Sequence, residues 1–326
     1  MVRLGLSVLI VASLTWAGLC CDTFAAGTKQ KSLQKRFRSP EEAAQALAAA
    51  AKANDMKELA AVLGPEGKQL ISSGDEVSDR AGREGFVRMY EEKNQVVKES
   101  DQRAVIEVGS QAWPLPIPIV KAGEKWRFDT KAGKQEILNR RIGKNELSVI
   151  QVCRAYVDAQ REYAGKDRDG DGLLEYAQKF VSEPGQKDGL YWEVKQGEEP
   201  SPLGPFAANA REEGYQGKKS AKQPSPYHGY YYKILKSQGK NAPGGAFSYV
   251  VKSNMMGGFA LVAYPAAYGS SGMMSFLVRY DGVVYQKDLG KNTQSIARAL
   301  KNFDPDKTWR KVEPRNLNPS DKDSGA

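Results

Sequence analysis

Residues 167 to 172 have the types and the spacing that a calcium-binding loop requires. Asp167, Asp169 and Asp171 occupy alternate positions, and Gly172 follows at the sixth. This pattern resembles the start of an EF-hand loop, in which carboxylates converge on one hard cation while the glycine takes the sharp turn. Glu175, at the ninth position, can supply a further oxygen. The sequence therefore predicts calcium as a candidate cofactor, held by these acidic residues.

The same loop departs from the EF-hand pattern at its last position. Gln178 stands at position twelve, where an EF-hand has a glutamate that binds the ion through both oxygens. A hydrated turn without an ion is the alternative interpretation of the loop, and both remain open.

A second group of candidate residues surrounds His228, the only histidine of the chain. One histidine cannot build a multi-histidine zinc site, but it can act as a base beside a serine or an aspartate. Trp192, Tyr227, His228 and Tyr230 are candidates for a binding pocket, because aromatic side chains often line such sites. A histidine that only fills a turn before a strand is the structural alternative. No catalytic signature stands out, so we assign no catalytic residue and leave open whether the protein is an enzyme.

The segments before these residues predict an N-terminal α+β domain over residues 39–134. Ser39, Pro40 and Glu42 form a helix-start signal, and helices are expected at 40–52, 56–62 and 83–92. Alternating or extended apolar runs at 103–108, 113–120 and 125–129 predict a small curved antiparallel sheet. This order of elements is analogous to the fold of the nuclear-transport-factor-2-like group.

The remaining elements predict a linker and a second domain. Residues 135–164 have helical periodicity, as two linking helices or as one helix bent at Gly143. Residues 165–314 predict a β-rich C-terminal domain. Its first part, to residue 245, is an irregular excursion with a mobile tip around residues 214–225. Strands are expected at 230–235 and 247–252, and Asp281-Gly282 predicts a hairpin with a type I′ turn. Thr293 is expected to cap a helix that ends at Asn302.

The two ends of the chain are expected to lie outside the fold, and the N-terminal end predicts export. Arg3, the apolar run at 4–19 and the small residues Thr23 and Ala25 predict a signal peptide over residues 1–26. A lipoprotein, cut before Cys20 or Cys21, is the alternative. Residues 27–38 are expected to form a basic flexible arm, and residues 315–326 a disordered tail. We therefore expect a protein of the periplasm or cell envelope.

Charge and composition narrow the classes of partner. The chain has 48 basic and 39 acidic residues and a formal net charge of +9. We interpret this as a solvated basic surface and expect no nucleic acid, although the basic arm can contact a membrane or the cell wall. An envelope protein, a peptide or a polysaccharide is the expected partner. The predicted function is a binding, structural or assembly module, and the alternative is an envelope hydrolase with a site near His228.

Several stretches together resemble a bacterial family of exported proteins known only as domain of unknown function 2950. They are residues 39–43, 113–118, 140–147, 188–192, 201–205, 227–231, 242–246 and 257–290. This resemblance implies a family but no activity. The C-terminal half is also similar to the soluble head of some type IV pilin-like proteins, although an entire domain here stands where a pilin has its hydrophobic helix.

Overall fold

The computed structural model describes residues 34–168, 170–215 and 225–313, and it confirms the predicted α+β class. The predicted signal peptide, residues 27–33 of the arm, most of the predicted mobile tip and the predicted tail at 315–326 lie outside the described residues. Within the described ranges, no helix combines the length and the apolar character that crossing a membrane would require.

Four α-helices come first among the described residues, and side-chain caps determine where three of them start. They are α1 (Pro40–Lys52), α2 (Met56–Leu63), α3 (Lys68–Ile71) and α4 (Glu76–Glu92), with a 3₁₀ turn at Pro65–Gly67. Ser39 accepts a hydrogen bond from the Glu42 amide at 3.1 Å, so the predicted start of α1 is confirmed. Asp55 caps α2 and Asp75 caps α4. Helix α4 starts seven residues earlier than predicted, because its first turns carry few apolar residues and so lack periodicity.

A five-stranded antiparallel sheet packs against these helices. Its strands are β1 (Asn94–Ser100), β2 (Arg103–Val108), β3 (Trp113–Pro114), β4 (Ile119–Ala122) and β5 (Lys125–Phe128), in the order β1-β2-β4-β5 with β3 beside β2. The side chains of Ile106, Ile119 and Phe128 are fully buried against α1 and α2. The sequence analysis missed β1, because most of its residues are exposed and no alternation marks them.

The end of the predicted basic arm is part of this first layer. The backbone of Phe37 exchanges two hydrogen bonds of 2.8 Å with Trp126, and the Phe37 side chain is buried. Gln34 donates to the carbonyl oxygens of Val62 and Phe128 at 3.1 and 2.8 Å. Residues 34–38, which the sequence places in a flexible arm, are therefore packed, because Phe37 provides an apolar anchor.

One long helix, α5 (Thr130–Tyr163), connects the two parts of the fold. It is continuous through Gly143, so the alternative of two separate helices is wrong, whereas a bend at this residue stays a prediction. Gly143 is exposed, with open space where a Cβ would stand. Ile137 packs in the hydrophobic cluster of the first half, and Val149 and Cys153 belong to that of the second half. Burial raises the pKa of the Cys153 thiol to about 12, as expected of an inert core cysteine.

The second half is built on a five-stranded antiparallel sheet. Its elements are α6 (Gly204–Glu212), β6 (Tyr230–Leu235), β7 (Ser237–Gln238), β8 (Phe247–Ser248), β9 (Val250–Val251), β10 (Asn254–Met255), β11 (Ala260–Pro265), β12 (Met274–Arg279), β13 (Val284–Asp288), α7 (Thr293–Ala299) and β14 (Arg310–Lys311). The main sheet has the order β14-β13-β12-β11-β6. Strand β11 is buried along its whole length and contacts both α5 and α7.

Three local predictions for this half need correction. The hairpin between β12 and β13 exists, but only Gly282 has a positive φ (+78°), and its amide donates to the Arg279 carbonyl at 2.8 Å. The turn is therefore a type I turn followed by a left-handed glycine, not type I′. The strand expected at 247–252 is interrupted into β8 and β9. Helix α7 is preceded by Asn292, begins at Thr293 itself and ends at Ala299.

The two inner glycines of α5 provide a test of this packing. We expect Gly143→Ala to raise the free energy of unfolding by about 1 kcal/mol, because alanine favours a helix and nothing lies near this position. Gly133→Ala is expected to lower it by about 1–3 kcal/mol, since its Cβ would stand 2.2 Å from the Pro116 carbonyl oxygen. Urea unfolding measures both. Equal effects of the two substitutions would contradict the packing described for α5.

Candidate functional site

The buried carboxylate of Asp75 joins the start of α4 to two segments that lie far along the chain, at Tyr215 and Gly229. Asp75 is 1% exposed. Its carboxylate caps α4 by accepting a hydrogen bond from the Ser78 amide at 3.1 Å. It also accepts the Tyr215 hydroxyl at 2.9 Å and the Gly229 amide at 2.8 Å. Three donors therefore stabilise this buried charge.

Gly229 lies close to the Asn145 side chain of α5. It has a φ of +74°, and a Cβ at this position would stand 2.6 Å from Asn145 Nδ2 and 2.9 Å from Ser271 Cβ. Buried Asn145 in turn donates to the Ser271 carbonyl at 2.8 Å. Only glycine fits a left-handed position with so little space. Packing therefore explains why glycine occupies the third position of the Tyr-His-Gly-Tyr-Tyr stretch.

Two further side chains of α5 bind backbone groups from both halves of the fold. Arg141 donates to the carbonyl oxygens of Gln69, at 2.7 Å, and of Leu70. Burial lowers the pKa of this guanidinium. The two backbone acceptors offset the cost of burying its polar N–H groups. Glu146 accepts the amides of Met273 and Met274, both at 2.9 Å. Arg141 and Glu146 both belong to the 140–147 stretch that carries the family resemblance.

His228 lies at the half-buried edge of this network. Its backbone has a φ of +49°, and its amide donates to the Tyr215 hydroxyl at 3.2 Å. The imidazole is 24% exposed, its centroid is 4.0 Å from that of Tyr227, and its Nε2 is 3.5 Å from Glu213 Oε2. Burial lowers the pKa of His228, although the charge of Glu213 acts in the opposite direction. The neutral ring is therefore favoured, and it can take part in hydrogen bonding or stacking.

Tyr227 extends this edge into a small aromatic group. Its ring centroid lies 4.8 Å from that of Tyr215 and 5.3 Å from that of Phe206 on α6, both at steep angles. Burial and the charge of Glu213 raise the pKa of the Tyr227 hydroxyl to about 12. We call Asp75, Glu213, Tyr215, Tyr227 and His228 the Asp75–His228 cluster.

The hydroxyl groups around the cluster are held by the fold. The Tyr215 hydroxyl donates to Asp75, and its pKa is raised by burial and by that charge. Ser270 donates to the Gln69 carbonyl at 3.2 Å, and Ser271 accepts the Ala267 amide at 2.9 Å. Both serines are buried. The arrangement offers a hydrogen-bonding and stacking edge at His228 rather than an activated nucleophile.

The four predicted pocket residues divide into two kinds. Tyr227 and His228 form the half-buried pair described above. Trp192 is 7% exposed, and its contacts are cationic: Arg168 and Lys187 lie 5.3 and 5.6 Å from its ring centroid. Tyr230 is fully buried, and its hydroxyl donates to the Met274 carbonyl at 2.9 Å. Trp192 and Tyr230 are thus core residues, and of the four only Tyr227 and His228 present a surface.

The carboxylates of the predicted calcium loop bind groups of the protein. Asp167 accepts the amides of Gly170 and Gly172 at 2.7 and 2.9 Å. Asp171 accepts Asn254 Nδ2 at 2.6 Å, which connects the loop to β10. These bonds fix the loop backbone in a tight turn with both glycines at positive φ.

The rest of the predicted ligand set is only partly described. Glu175 accepts the Met255 amide at 3.1 Å, and Asp169 lies outside the described residues. In the ranges the structure covers, no three histidine, cysteine, aspartate or glutamate side chains are grouped in a way that would hold a metal. Calcium binding at Asp167, Asp169, Asp171 and Glu175 therefore stays a prediction.

Sequence reasoning missed most of the cluster around His228. Asp75, Tyr215 and Glu213 were not among the candidates, since their separation in sequence gives no spacing to recognise. An aspartate directly before Glu76 is a helix-cap signal that could have indicated Asp75. Its two long-range donors could not have been inferred from the sequence.

Together, fold and cluster define an α+β protein in which polar side chains join two hydrophobic cores. Residues 34–312 match the model of the family described as Protein of unknown function (DUF2950). The chain belongs to this family, as its motifs predict. Neither a curated protein nor a solved structure matches it. The similarities to pilin-like heads and to the nuclear-transport-factor-2-like fold therefore stay predictions.

The importance of Asp75 can be measured against a matched helix cap. Asp55 caps α2 through the Lys57 and Glu58 amides alone, so Asp55→Ala is expected to cost about 1 kcal/mol. Asp75→Ala removes a cap and leaves the Tyr215 hydroxyl and the Gly229 amide without their acceptor. We expect a loss of about 3 kcal/mol or more in urea unfolding. Similar losses for the two variants would show that Asp75 is only a cap.

The calcium hypothesis has its own test. If the loop binds calcium, millimolar calcium should raise the melting temperature, because a ligand that binds only the folded state stabilises it. Asp169→Ala should abolish this increase. Asp158→Ala is the matched control, since Asp158 is 78% exposed on α5, and it should leave the increase intact. The absence of any calcium-dependent shift in the unchanged protein would reject the hypothesis.

Proposed function

We propose that this protein is exported and acts in the cell envelope as a binding or assembly module that contacts another envelope protein. The observation that carries this proposal is the uneven distribution of exposed apolar side chains. Nine large ones are exposed among the described residues, and seven of these lie between residues 173 and 256. They are Leu173, Leu174, Val181, Val194, Phe247, Val251 and Met256.

Poor packing of their segments does not explain why these side chains are exposed. The same excursion buries Ala177 and Leu190, which are 1% and 0% exposed. Tyr176 donates its amide to the Met255 carbonyl at 2.8 Å, which joins the excursion to β10. An ordered segment that holds several aliphatic side chains in water is typical of a contact surface, whereas single exposed apolar residues are common everywhere.

The chemistry of this surface favours a protein as partner. Leucine, valine and methionine side chains gain by excluding water against other apolar groups. A polysaccharide would instead require aromatic faces with polar groups beside them, and the seven exposed side chains include one aromatic residue, Phe247. Support for export comes from the charged, apolar and small-residue pattern of residues 1–26.

A hydrolase near His228 is the alternative function, and the contacts of the cluster favour it less. Asp75 is surrounded by donors, and the hydroxyls of Tyr215, Ser270 and Ser271 are bound within the fold. A hydrolytic site needs a base with a free nucleophile or a positioned water within reach. The cluster instead has the features of a joint between segments.

Site-specific photo-crosslinking in the native cell tests the proposal. A photoreactive phenylalanine analogue at Leu174 or Val181, which are 59% and 62% exposed, should give a discrete adduct with one envelope protein. The same analogue at Ile296, which is 40% exposed on α7, is the matched control and should give none. Equal labelling at all three positions, or adducts with polysaccharide only, would contradict the proposed surface.

Export is checked separately on the same cells. The chain should be recovered from the envelope fraction with its N-terminus at residue 26 or 27. A full-length chain in the cytoplasm would overturn the export part of the proposal. The crosslinking result would still decide the contact surface.

A further inference from the structure

Strand β6 is one edge of the main C-terminal sheet. It pairs with β11 in unbroken antiparallel register from Tyr230 opposite Pro265 to Leu235 opposite Ala260. Its residues 231–234 are half-buried, so the strand is not enclosed in the core. An edge strand presents backbone groups that can pair with another chain.

The register determines which groups of β6 point outward. The Ala266 amide donates to the Gly229 carbonyl at 2.8 Å, so residue 266 directs its backbone groups towards the β6 side. Because strands alternate with a period of two, Tyr264, Val262 and Ala260 do the same. Their partners Tyr231, Lys233 and Leu235 therefore use their amides and carbonyls inside the sheet. Tyr232 and Ile234 direct theirs to the outside.

Both ends of this outer edge are closed by the protein itself. At one end, the backbones of Tyr227 and Tyr230 exchange hydrogen bonds of 2.9 and 3.1 Å. At the other end, the Tyr249 amide donates to the Lys236 carbonyl at 2.9 Å. Between them, the amides and carbonyls of Tyr232 and Ile234 have no hydrogen-bond partner within the described ranges.

The usual protections of a free edge are missing from this window. The register of β6 contains no bulge, and the strand has no proline. Its one charged residue, Lys233, donates to the carbonyls of Arg298 and Leu300 at 2.7 and 2.6 Å at the end of α7. The ammonium group therefore caps a helix instead of guarding the edge. Natural sheets commonly block an exposed edge by one of these devices.

We infer that the outer edge of β6 is a binding site for an extended peptide segment of another protein, which adds as a strand. Two amides and two carbonyls in alternation, at strand spacing, are complementary to an extended polypeptide backbone. The side chains of Tyr232 and Ile234 lie on one face of the added strand, so apolar residues at alternate positions of the peptide would contact them. The length of the window limits the direct pairing to a short segment.

A second copy of this chain fits the edge less well. Antiparallel pairing of two β6 windows, centred on Lys233, would place Tyr232 opposite Ile234 of the copy. It would also bring the closed ends of the two windows, at Tyr227 and Tyr249, against each other. A single extended peptide does not meet this obstacle.

This site differs in its residues and in its ligand from the proposed contact surface, whose exposed side chains lie at residues 173–194 of the excursion and at 247–256. The excursion offers exposed aliphatic side chains, whereas β6 offers backbone groups. Val181→Ser should therefore leave peptide binding at β6 unchanged, and a failure of one proposal leaves the other intact.

Amide exchange of the mature chain, followed by NMR, is the first measurement. In the free protein, the amides of Tyr232 and Ile234 should exchange rapidly, while the neighbouring amides of Tyr231 and Lys233, which pair with β11, should be protected. Peptides selected from a random phage-displayed library on the mature chain then serve as probes. A bound peptide should slow exchange at Tyr232 and Ile234. Peptides that bind without protecting these amides, or a selection that gives no peptide, would overturn the inference.

A pair of substitutions at one position separates backbone pairing from side-chain contact. Ile234→Pro removes an outward amide that the sheet does not use, and it should weaken the selected peptide by about tenfold or more. Ile234→Ala removes the same side chain but retains the amide, and it should weaken binding much less. Equal losses would overturn the inference, as would sedimentation showing a dimer of this chain that Ile234→Pro dissociates. If Ile234→Pro does not fold, the exchange measurement on the unchanged protein decides.

Discussion

The carboxylate of Asp75 imposes a constraint on which much of the structure depends. A buried negative charge is costly unless donors surround it, and here the donors come from α4, from Tyr215 just after α6 and from the turn before β6. The three segments are therefore fixed relative to one another by a single group. The positive φ of His228 and of Gly229 follows from this arrangement, since the chain must turn sharply to bring the Gly229 amide to the carboxylate.

Helix α5 supplies the rest of the connection between the two halves. Arg141 binds backbone carbonyls of α3 in the first half, and Asn145 and Glu146 bind backbone groups of residues 271–274 in the second. Tyr156 and Gln160 anchor the helix in the second core. Gln160 exchanges hydrogen bonds of 2.8 and 2.9 Å with the backbone of Ala177, so it also fixes the start of the excursion. The polar residues of this helix thus position irregular chain that could not order itself.

The sequence was sufficient where local signals agree with the final packing. Ser39 and Pro40 predicted the start of α1, and the aromatic run at 230–235 predicted β6. It was insufficient where tertiary contacts decide whether a helix continues or a strand forms. Gly143 is tolerated inside α5 because the packed parts on either side continue the helix, and β1 pairs with β2 although its own side chains are mostly exposed. For the candidate site, His228 and Tyr227 were recognisable by type. Asp75 was not, because 140 residues separate it from Tyr215.

The unbroken α5 has a consequence for how the chain can be divided. Its 34 residues run from the first hydrophobic core into the second, so a cut anywhere along them would strip one core of its covering helix. Neither half could be expressed as an autonomous fragment without a new apolar surface in water. Folding and unfolding should accordingly proceed in one cooperative transition, and recombination within the family should keep both halves together.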